Sequence, residues 1–513
     1  MSGPLVALVE PGPSGGAGSM GARLLVTAMR DGGCEVIHVG LRSRGGQMTL
    51  VGVGGDGIPN PGRRPDAIYV SALYPRALWH LPRALTELGV EPDSADRPDS
   101  APLVALGGQM AHSPSAALPA VDVVALGDGE TTGPPLAWAA MGGRKAAQDW
   151  AAERQGYYVP GVSDRLVRVE DDWAPRLVSA GKAMTMELAR GCGSRCAFCP
   201  IGWAGGSYRE ATPSQVDILL QFARGRRLNL YAPDFSSVQG VAEIEASVRR
   251  WGCTMSGRDA RIDRARRHLA HGVAVKSYSF GIEGASERLR DAIGKPLAGG
   301  AIVDTMRYLG GQGVGTVKWY LIAGLPGEEE RDYDELYATL QQTRAVYAGR
   351  LEVTMTIFQP VPHTPLGWDP GSHSTDAYRR VMGLRTWLRD EYDRGGRSWI
   401  CSQPKGPDLH ESDVYLQRGD EGAWGAIRWV DGSLSRVDSG AWRDHAPGLS
   451  AALGQIAPGS EPWSYVDVGQ RAGVLAEARR QYTHRLSRAR APDWLPLQDE
   501  YAADTAAQLE MWT

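Results

Sequence analysis

Three cysteines within eight residues, Cys192, Cys196 and Cys199, constrain this chain more than any other feature. They stand in the run Glu187-Leu-Ala-Arg-Gly-Cys-Gly-Ser-Arg-Cys-Ala-Phe-Cys-Pro200, a C-x3-C-x2-C spacing with Phe198 just before the last thiol. Three thiolates on one short loop can hold three irons of a [4Fe-4S] cube and leave the fourth open to an outside ligand. The competing reading is zinc, which in structural sites takes four closed ligands, commonly as two separated pairs. Cys34, Cys253 and Cys401 stand alone and form no second pair, and no Cys/His knuckle accompanies them.

The whole chain narrows the class further. Its 513 residues are enough for two to four domains. A net charge of -4 gives no whole-chain field that would argue for nucleic acid or a membrane surface. Arginine greatly outnumbers lysine, which together with abundant Ala and Gly points to a GC-rich genome rather than an arginine-specific role. There is no long apolar span of membrane type. The start, Met-Ser-Gly-Pro-Leu-Val, lacks the charged segment and apolar core of a signal peptide. Six cysteines with three clustered fit a reducing cytoplasm better than a disulfide framework.

Along the chain, short apolar runs alternate with helical patterns. Leu5–Val9, Cys34–Val39, Asp66–Leu73, Leu103–Gly108 and Val121–Leu126 read as strands, with a helix over Met20–Arg30. Such alternation implies a parallel sheet with ligands at the strand carboxyl ends. The pattern resumes at Met184–Leu188, Leu228–Tyr231, Ser277–Gly281, Thr316–Ile322 and Leu351–Phe358. In barrels built this way the chemistry sits at the carboxyl ends of the strands, and the cysteine loop follows its strand directly. Residues 131–180 read as a connector. The tail is dense in tryptophan (Trp387, Trp399, Trp424, Trp429, Trp442, Trp463, Trp494, Trp512), which suits core and interdomain contacts, with a stacking platform for a substrate ring as the alternative. Arg479, Arg480, Arg485, Arg488 and Arg490 read as the solvated face of a helix end.

The cysteine loop resembles the signature of the radical S-adenosylmethionine (SAM) enzymes. The resemblance implies that SAM chelates the open iron and that the reduced cluster cleaves it to a 5'-deoxyadenosyl radical. The first third is similar in element order to the cobalamin-binding domain that precedes many radical SAM cores. That domain carries D-x-H-x-x-G, then S-x-L, then a glycine pair. Here Glu10-Pro-Gly12-Pro-Ser-Gly15, Ser71-Ala-Leu73 and Gly107-Gly108 stand in those places, and Gly127-Asp-Gly-Glu130 resembles the end of such a domain. The resemblance implies a corrin held by Gly12, Gly15, Ser71, Leu73, Gly107 and Gly108. Gly12 replaces the histidine that would reach cobalt from below. Either the corrin binds without a protein imidazole, or the domain has lost cobalamin and survives as a packing module. Gly12, Gly15 and Gly18 do not follow the dinucleotide spacing G-x-G-x-x-G.

The barrel turns also resemble the family. Gly281-Ile-Glu-Gly-Ala-Ser-Glu-Arg288 implies SAM contacts from Glu283 and Ser286, while Ser286 also reads as a helix cap. Trp319-Tyr-Leu-Ile-Ala-Gly-Leu-Pro-Gly-Glu328 implies close backbone approach to the adenine at Gly324 and Gly327. Phe358-Gln-Pro-Val-Pro-His-Thr-Pro365 places Gln359 and His363 near the site, and Tyr208-Arg-Glu210 resembles a basic element over the cysteine loop. Asp234, Ser256 and Arg261 are further candidates for polar contacts to SAM or substrate.

The expected fold is α/β, with a Rossmann-like cobalamin-binding-type domain (1–135), a connector (136–180), a partial (β/α)6 radical SAM barrel (181–370) and a mostly helical C-terminal module (371–513). The expected cofactors are a [4Fe-4S] cluster on Cys192, Cys196 and Cys199, SAM, and cobalamin without a protein histidine ligand. The expected activity is C-methylation through methylcobalamin. The alternatives are a radical SAM enzyme without cobalamin, performing hydrogen abstraction with rearrangement, cyclisation or nucleoside or peptide modification, and a non-enzymatic iron–sulfur sensor or scaffold. A small-molecule, peptide or nucleoside substrate and an external electron donor of flavodoxin or ferredoxin type are the expected partners, with neither membrane nor nucleic acid.

Overall fold

The computed structural model describes residues 3–13, 18–44, 47–53, 62–171, 173–255, 258–265, 277–371, 374–392, 399–471 and 473–488. Gly15, Ser256, Arg490, Trp494 and Trp512 lie outside the described residues.

The N-terminal sheet has seven strands: β1 (Leu5–Pro13), β2 (Glu35–Arg44), β3 (Gln47–Gly52), β4 (Ala67–Ser71), β5 (Leu103–Gly107), β6 (Val123–Ala125) and β7 (Tyr157–Tyr158), in the order β3-β2-β1-β4-β5-β6-β7. The inner five pair in parallel, and β3 and β7 run antiparallel at the edges. Strand β1 opens with the unbroken apolar run Leu5–Val9 because both of its faces are covered there. One face takes the helix Met20–Asp31, whose Ser19 cap accepts from Ala22 N at 3.2 Å and whose Ala22, Val26 and Met29 pack with Val6 and Leu8. The chain leaves β1 to build β2 on one side and β4 on the other. The crevice between the carboxyl ends of β1 and β4 is therefore a topological switch point.

The middle of the chain forms two open sheets. After β8 (Leu166–Val167), the strands β9 (Leu177–Ala180), β10 (Ala183–Glu187), β13 (Arg227–Tyr231) and β14 (Thr254–Met255) make one, in the order β14-β13-β10-β9. The short strands β11 (Ala189–Arg190) and β12 (Arg209–Glu210) pair separately. The strands β15 (Arg258–Ala260), β16 (Ser277–Glu283), β17 (Thr316–Ala323), β18 (Arg350–Ile357) and β19 (Ile400–Cys401) make the second sheet, in chain order and parallel. β14 and β15 fall on either side of 256–257, so the sequential parallel run passes from one sheet to the other there, and no closed barrel is detected among the described residues. Strands β14 and β15 were not marked by the sequence pattern because Thr254–Met255 and Arg258–Ala260 carry few apolar side chains. A further strand, β19, comes from beyond residue 370.

The C-terminal segment does not stand apart. Its helices Pro407–Arg418 and Ala423–Val430 cover the second face of the N-terminal sheet, where Tyr415, Trp424, Ile427 and Trp442 share one core with Val9, Ile68 and Trp79. Trp79 and Trp442 meet at 5.7 Å between ring centroids. Trp399, Trp424, Trp442 and Trp463 are buried, as core tryptophans should be. The strand β20 (Val466–Asp467) pairs with β8, and the helix Val474–Arg488 returns to the second sheet, where Tyr482 Oη donates to Pro326 O at 2.6 Å. Among the described residues no helix is long and apolar enough to cross a membrane.

Candidate active site

Strand β10 delivers the chain to the cysteine loop. Strands β11 and β12 then zip its base, with Ala189 opposite Glu210 and Arg190 opposite Arg209. Within the loop Cys199 N donates to Cys196 O at 3.0 Å, and the Trp203 indole donates to the same carbonyl at 2.9 Å. Ala197 donates to Ile293 O at 2.9 Å and accepts from Leu366 N at 3.3 Å, which pins the loop to the second sheet. Gly191 has φ 69°, and a Cβ there would stand 2.6 Å from Ser207 O, so only glycine lets the two sides of the loop approach. The three cysteines are free thiols of intermediate exposure.

A single tetrahedral zinc with sulfur at about 2.3 Å would draw its ligands to roughly 3.8 Å of one another. Among the described residues the one set of three His, Cys, Asp or Glu ligand atoms within 4.8 Å of each other is Glu91, Asp93 and Asp96. Cys192, Cys196 and Cys199 are not such a set. Burial pushes the Cys196 thiol up to about 12, against the opposing pull of Lys295, and burial also raises Cys199, offset by the backbone N–H groups of Ile201 and Gly202. Metal binding deprotonates such thiols outright, and N–H groups aimed at sulfur tune a cluster's potential.

Glu283 ends β16 at a bulge, with φ 67°. Its Oε1 lies 3.0 Å from Lys295 Nζ, and both groups act electrostatically on Cys196. Glu283 is thus brought beside the cysteines. Arg261 also senses Cys196, but its guanidinium is engaged by Asp263 at 3.0–3.1 Å. Ser286 is not brought to the loop. It is buried, caps Leu289 N at 3.4 Å and donates to Asp332 Oδ1, so the helix-cap alternative describes it. Asp234 likewise caps a short turn through Ser236 N at 3.0 Å and Ser237 Oγ at 2.5 Å.

Gly324 has φ 80° and packs against the helix Ser374–Tyr392, where a Cβ would meet Ala377 at 2.9 Å; Gly327 (φ 76°) packs on Leu486. Gln359 donates to Asp413 Oδ2 at 3.2 Å. His363 (φ 61°) is buried and donates from Nε2 to His112 O at 2.7 Å, a structural tie to the N-terminal sheet.

At the carboxyl edge of the N-terminal sheet, Gly12, Ser71, Leu73, Gly107 and Gly108 come together. Ser71 pairs with Gly107, and Ala72 N donates to Gly107 O at 3.2 Å. Gly108 has φ 82°, and a Cβ there would press on Ala72 O at 2.9 Å, so its role is backbone packing. Gly12 and Gly107 are different: the nearest atoms to an added Cβ lie at 3.9 Å (Ala77) and 4.0 Å (Ala125 O), which leaves an open cradle of small residues. The loss of an imidazole at position 12 is not forced by packing. The one histidine on β2, His38, is committed to Glu10 at 2.7 Å.

Sequence reasoning missed Lys295 and the contacts of Asp128 and Glu130. The latter lie in the 127–130 run just past β6 and meet Arg190 and Arg209 on the cysteine loop. Two unexplained carboxylates after a strand end, with arginines flanking the cysteines, were the available signal.

Residues 186–340 match the family model of the radical SAM superfamily, and residues 59–160 match that of radical SAM proteins, N-terminal. The middle of the chain, residues 186–340, thus carries a radical SAM domain, the module of enzymes that use a [4Fe-4S] cluster and SAM. The chain is 27% identical over 251 residues to the uncharacterized protein MJ0966 of Methanocaldococcus jannaschii, a match over 47% of this chain and 53% of that one. The chain thus matches about half the length of this curated relative. Among solved structures it is similar to the cobalamin-dependent S-adenosylmethionine radical enzyme OxsB with aqua-cobalamin and S-adenosylmethionine bound (14% identity, 83% of this chain and 67% of that one, TM-score 0.46). It is also similar to Streptococcus suis SuiB bound to its precursor peptide SuiA (10% identity, 46% of this chain and 51% of that one, TM-score 0.32).

Proposed function

We propose that this protein is a cobalamin-dependent radical SAM enzyme that methylates carbon. The observation that carries the reading is the cradle of small residues at the β1/β4 switch point, joined through Asp128 to the base of the cysteine loop. Ligands of open parallel sheets bind in such a crevice.

Cys192, Cys196 and Cys199 would hold the cluster; Glu283, with Lys295 beside it, would meet the amino acid part of SAM. Gly12, Ser71, Leu73 and Gly107 would line the corrin. When bound, the cluster and SAM supply one-electron radical chemistry and cobalamin a transferable methyl group. The protein's part is to bind and orient these groups and to exclude water. An external donor of flavodoxin or ferredoxin type would supply the electron, and the cytoplasm is the compartment that keeps these thiols reduced.

Anaerobic purification with cobalamin supplied, followed by metal analysis and an optical spectrum, tests the reading. Stoichiometric cobalt together with about four irons per chain supports it. Iron without cobalt would leave a radical SAM enzyme whose N-terminal domain is a packing module, the other reading that Gly12 leaves open. Absence of both metals would refute both.

A further inference from the structure

Strands β11 and β12 close the base of the cysteine loop by setting Arg190 directly opposite Arg209. Like charges facing each other across an antiparallel pair push the strands apart. Neither guanidinium escapes into water, since both are largely covered. The charge that reconciles them comes from outside the loop. Asp128 offers Oδ1 to Arg190 Nη1 at 3.1 Å and to Arg209 Nη2 at 3.3 Å, and Oδ2 to Arg209 Nη1. Glu130 adds a second hold on Arg190 at 2.5 and 3.1 Å, and Glu187 a third at 2.7 Å. Arg209 has no carboxylate partner but Asp128 among the ion pairs of the described residues. Although burial opposes it, the two arginines hold the Asp128 carboxyl below its usual range.

We propose that Asp128 is a positioning residue for the cysteine loop: a carboxylate lent by the carboxyl edge of the N-terminal sheet that neutralises the facing pair Arg190–Arg209 and keeps the base of the loop closed. The loop is therefore incomplete without the N-terminal sheet, and a displacement of the β6 edge reaches the three thiols through two arginines. The part of the proposal that concerns iron rests on the reading of those thiols as cluster ligands; loop closure does not.

Three full-length proteins test it: wild type, Asp128→Asn, and Asp128→Asn combined with Arg209→Gln, which removes the repulsion that Asp128 offsets. Hydrogen exchange at the β11 and β12 amides is followed in cluster-free protein, and iron loss to a chelator in anaerobically loaded protein. For Asp128→Asn, exchange and iron loss should both rise roughly tenfold, the size expected of a coupled charge cluster. The double variant should return to within about threefold of wild type, because contacting residues couple non-additively. Wild-type exchange in Asp128→Asn would overturn the proposal. So would a double variant no better than the single, since that outcome describes an interdomain tie and not neutralisation of a facing pair. A wild type that takes up no iron would refute the cluster reading, with exchange still deciding the role of Asp128.

Discussion

Arg76 and Asp413, 337 residues apart in the chain, meet in a two-point ion pair with nitrogen–oxygen distances of 2.8 and 2.9 Å. Arg76 follows the Ser71-Ala-Leu73 turn of the N-terminal sheet, and Asp413 lies in the helix Pro407–Arg418, where Gln359 from the end of β18 also reaches it. One buried carboxylate therefore joins all three parts of the chain.

Replacement of Arg76 by alanine leaves Asp413 buried with Gln359, the more distant Lys405 and the neighbouring His410 as its remaining partners among the described residues. Loss of one member of a buried pair costs about 3–5 kcal/mol. Because Arg76 itself is partly exposed, the lower end is expected, about 3 kcal/mol in denaturant unfolding, provided unfolding is a single transition.

The two glycine positions at the carboxyl edge should separate cleanly. Gly108→Ala places a Cβ against the Ala72 carbonyl in a left-handed backbone conformation, and should cost about 1–3 kcal/mol. Gly12→Ala meets no close atom and should change stability by less than about 0.5 kcal/mol while crowding the cradle. Thermal unfolding of both variants, with cobalt uptake measured beside it, checks the pair.

Gly281→Ala would drive its Cβ into the Glu283 carboxylate and to 2.7 Å from Lys295 Nζ. Both obstacles are ends of flexible side chains, so the fold should survive with a loss of about 1 kcal/mol. The Glu283–Lys295 pair must move, however, and SAM affinity measured by equilibrium dialysis should fall by about tenfold, equivalent to about 1.4 kcal/mol.

His112 and His363 tie the N-terminal sheet to the second sheet, and burial lowers each to about 4. His112 faces two carbonyls, Gln109 O from Nδ1 and Ala204 O from Nε2, each at 3.0 Å, and a neutral ring can donate to one of them. Between pH 6.5 and 4 the unfolded chain binds more protons at these sites than the folded one. Stability is then fully present above the ordinary histidine value and is lost as pH falls through 4, by up to about 3 kcal/mol per histidine. His363→Asn, which tolerates the positive φ, should flatten the unfolding-versus-pH curve in that window by about one proton.

Cys196→Ala should abolish 5'-deoxyadenosine release and cluster binding while leaving the cluster-free fold stable within about 1 kcal/mol. Persistent release of 5'-deoxyadenosine would refute the assignment of the thiols.

The sequence was most legible where local chemistry repeats. Unbroken apolar runs such as Leu5–Val9 marked β1 and its inner neighbours, since a strand covered on both faces has no polar alternation to hide. The hairpin strand β3 and the short strands β14 and β15 were not legible, because none carries a strong apolar signature. Ser286 and Asp234 show the limit at single residues: a polar residue beside a strand end reads equally as a ligand contact or a cap, and only the positions of Leu289 N and Ser236 N separate the two.

By itself, the sequence determined that three thiols share one short loop at the end of a strand, because spacing along a chain is a covalent fact. Only the tertiary structure decided what surrounds that loop. The partners of Arg190 and Arg209 come from residues 128 and 130, that of Arg76 from residue 413, and the tie on His363 from residue 112. Charges that far apart in the chain meet only when burying the sheet faces fixes where their strands end. The cysteine loop therefore belongs to its own strand by sequence and to the N-terminal sheet by electrostatics.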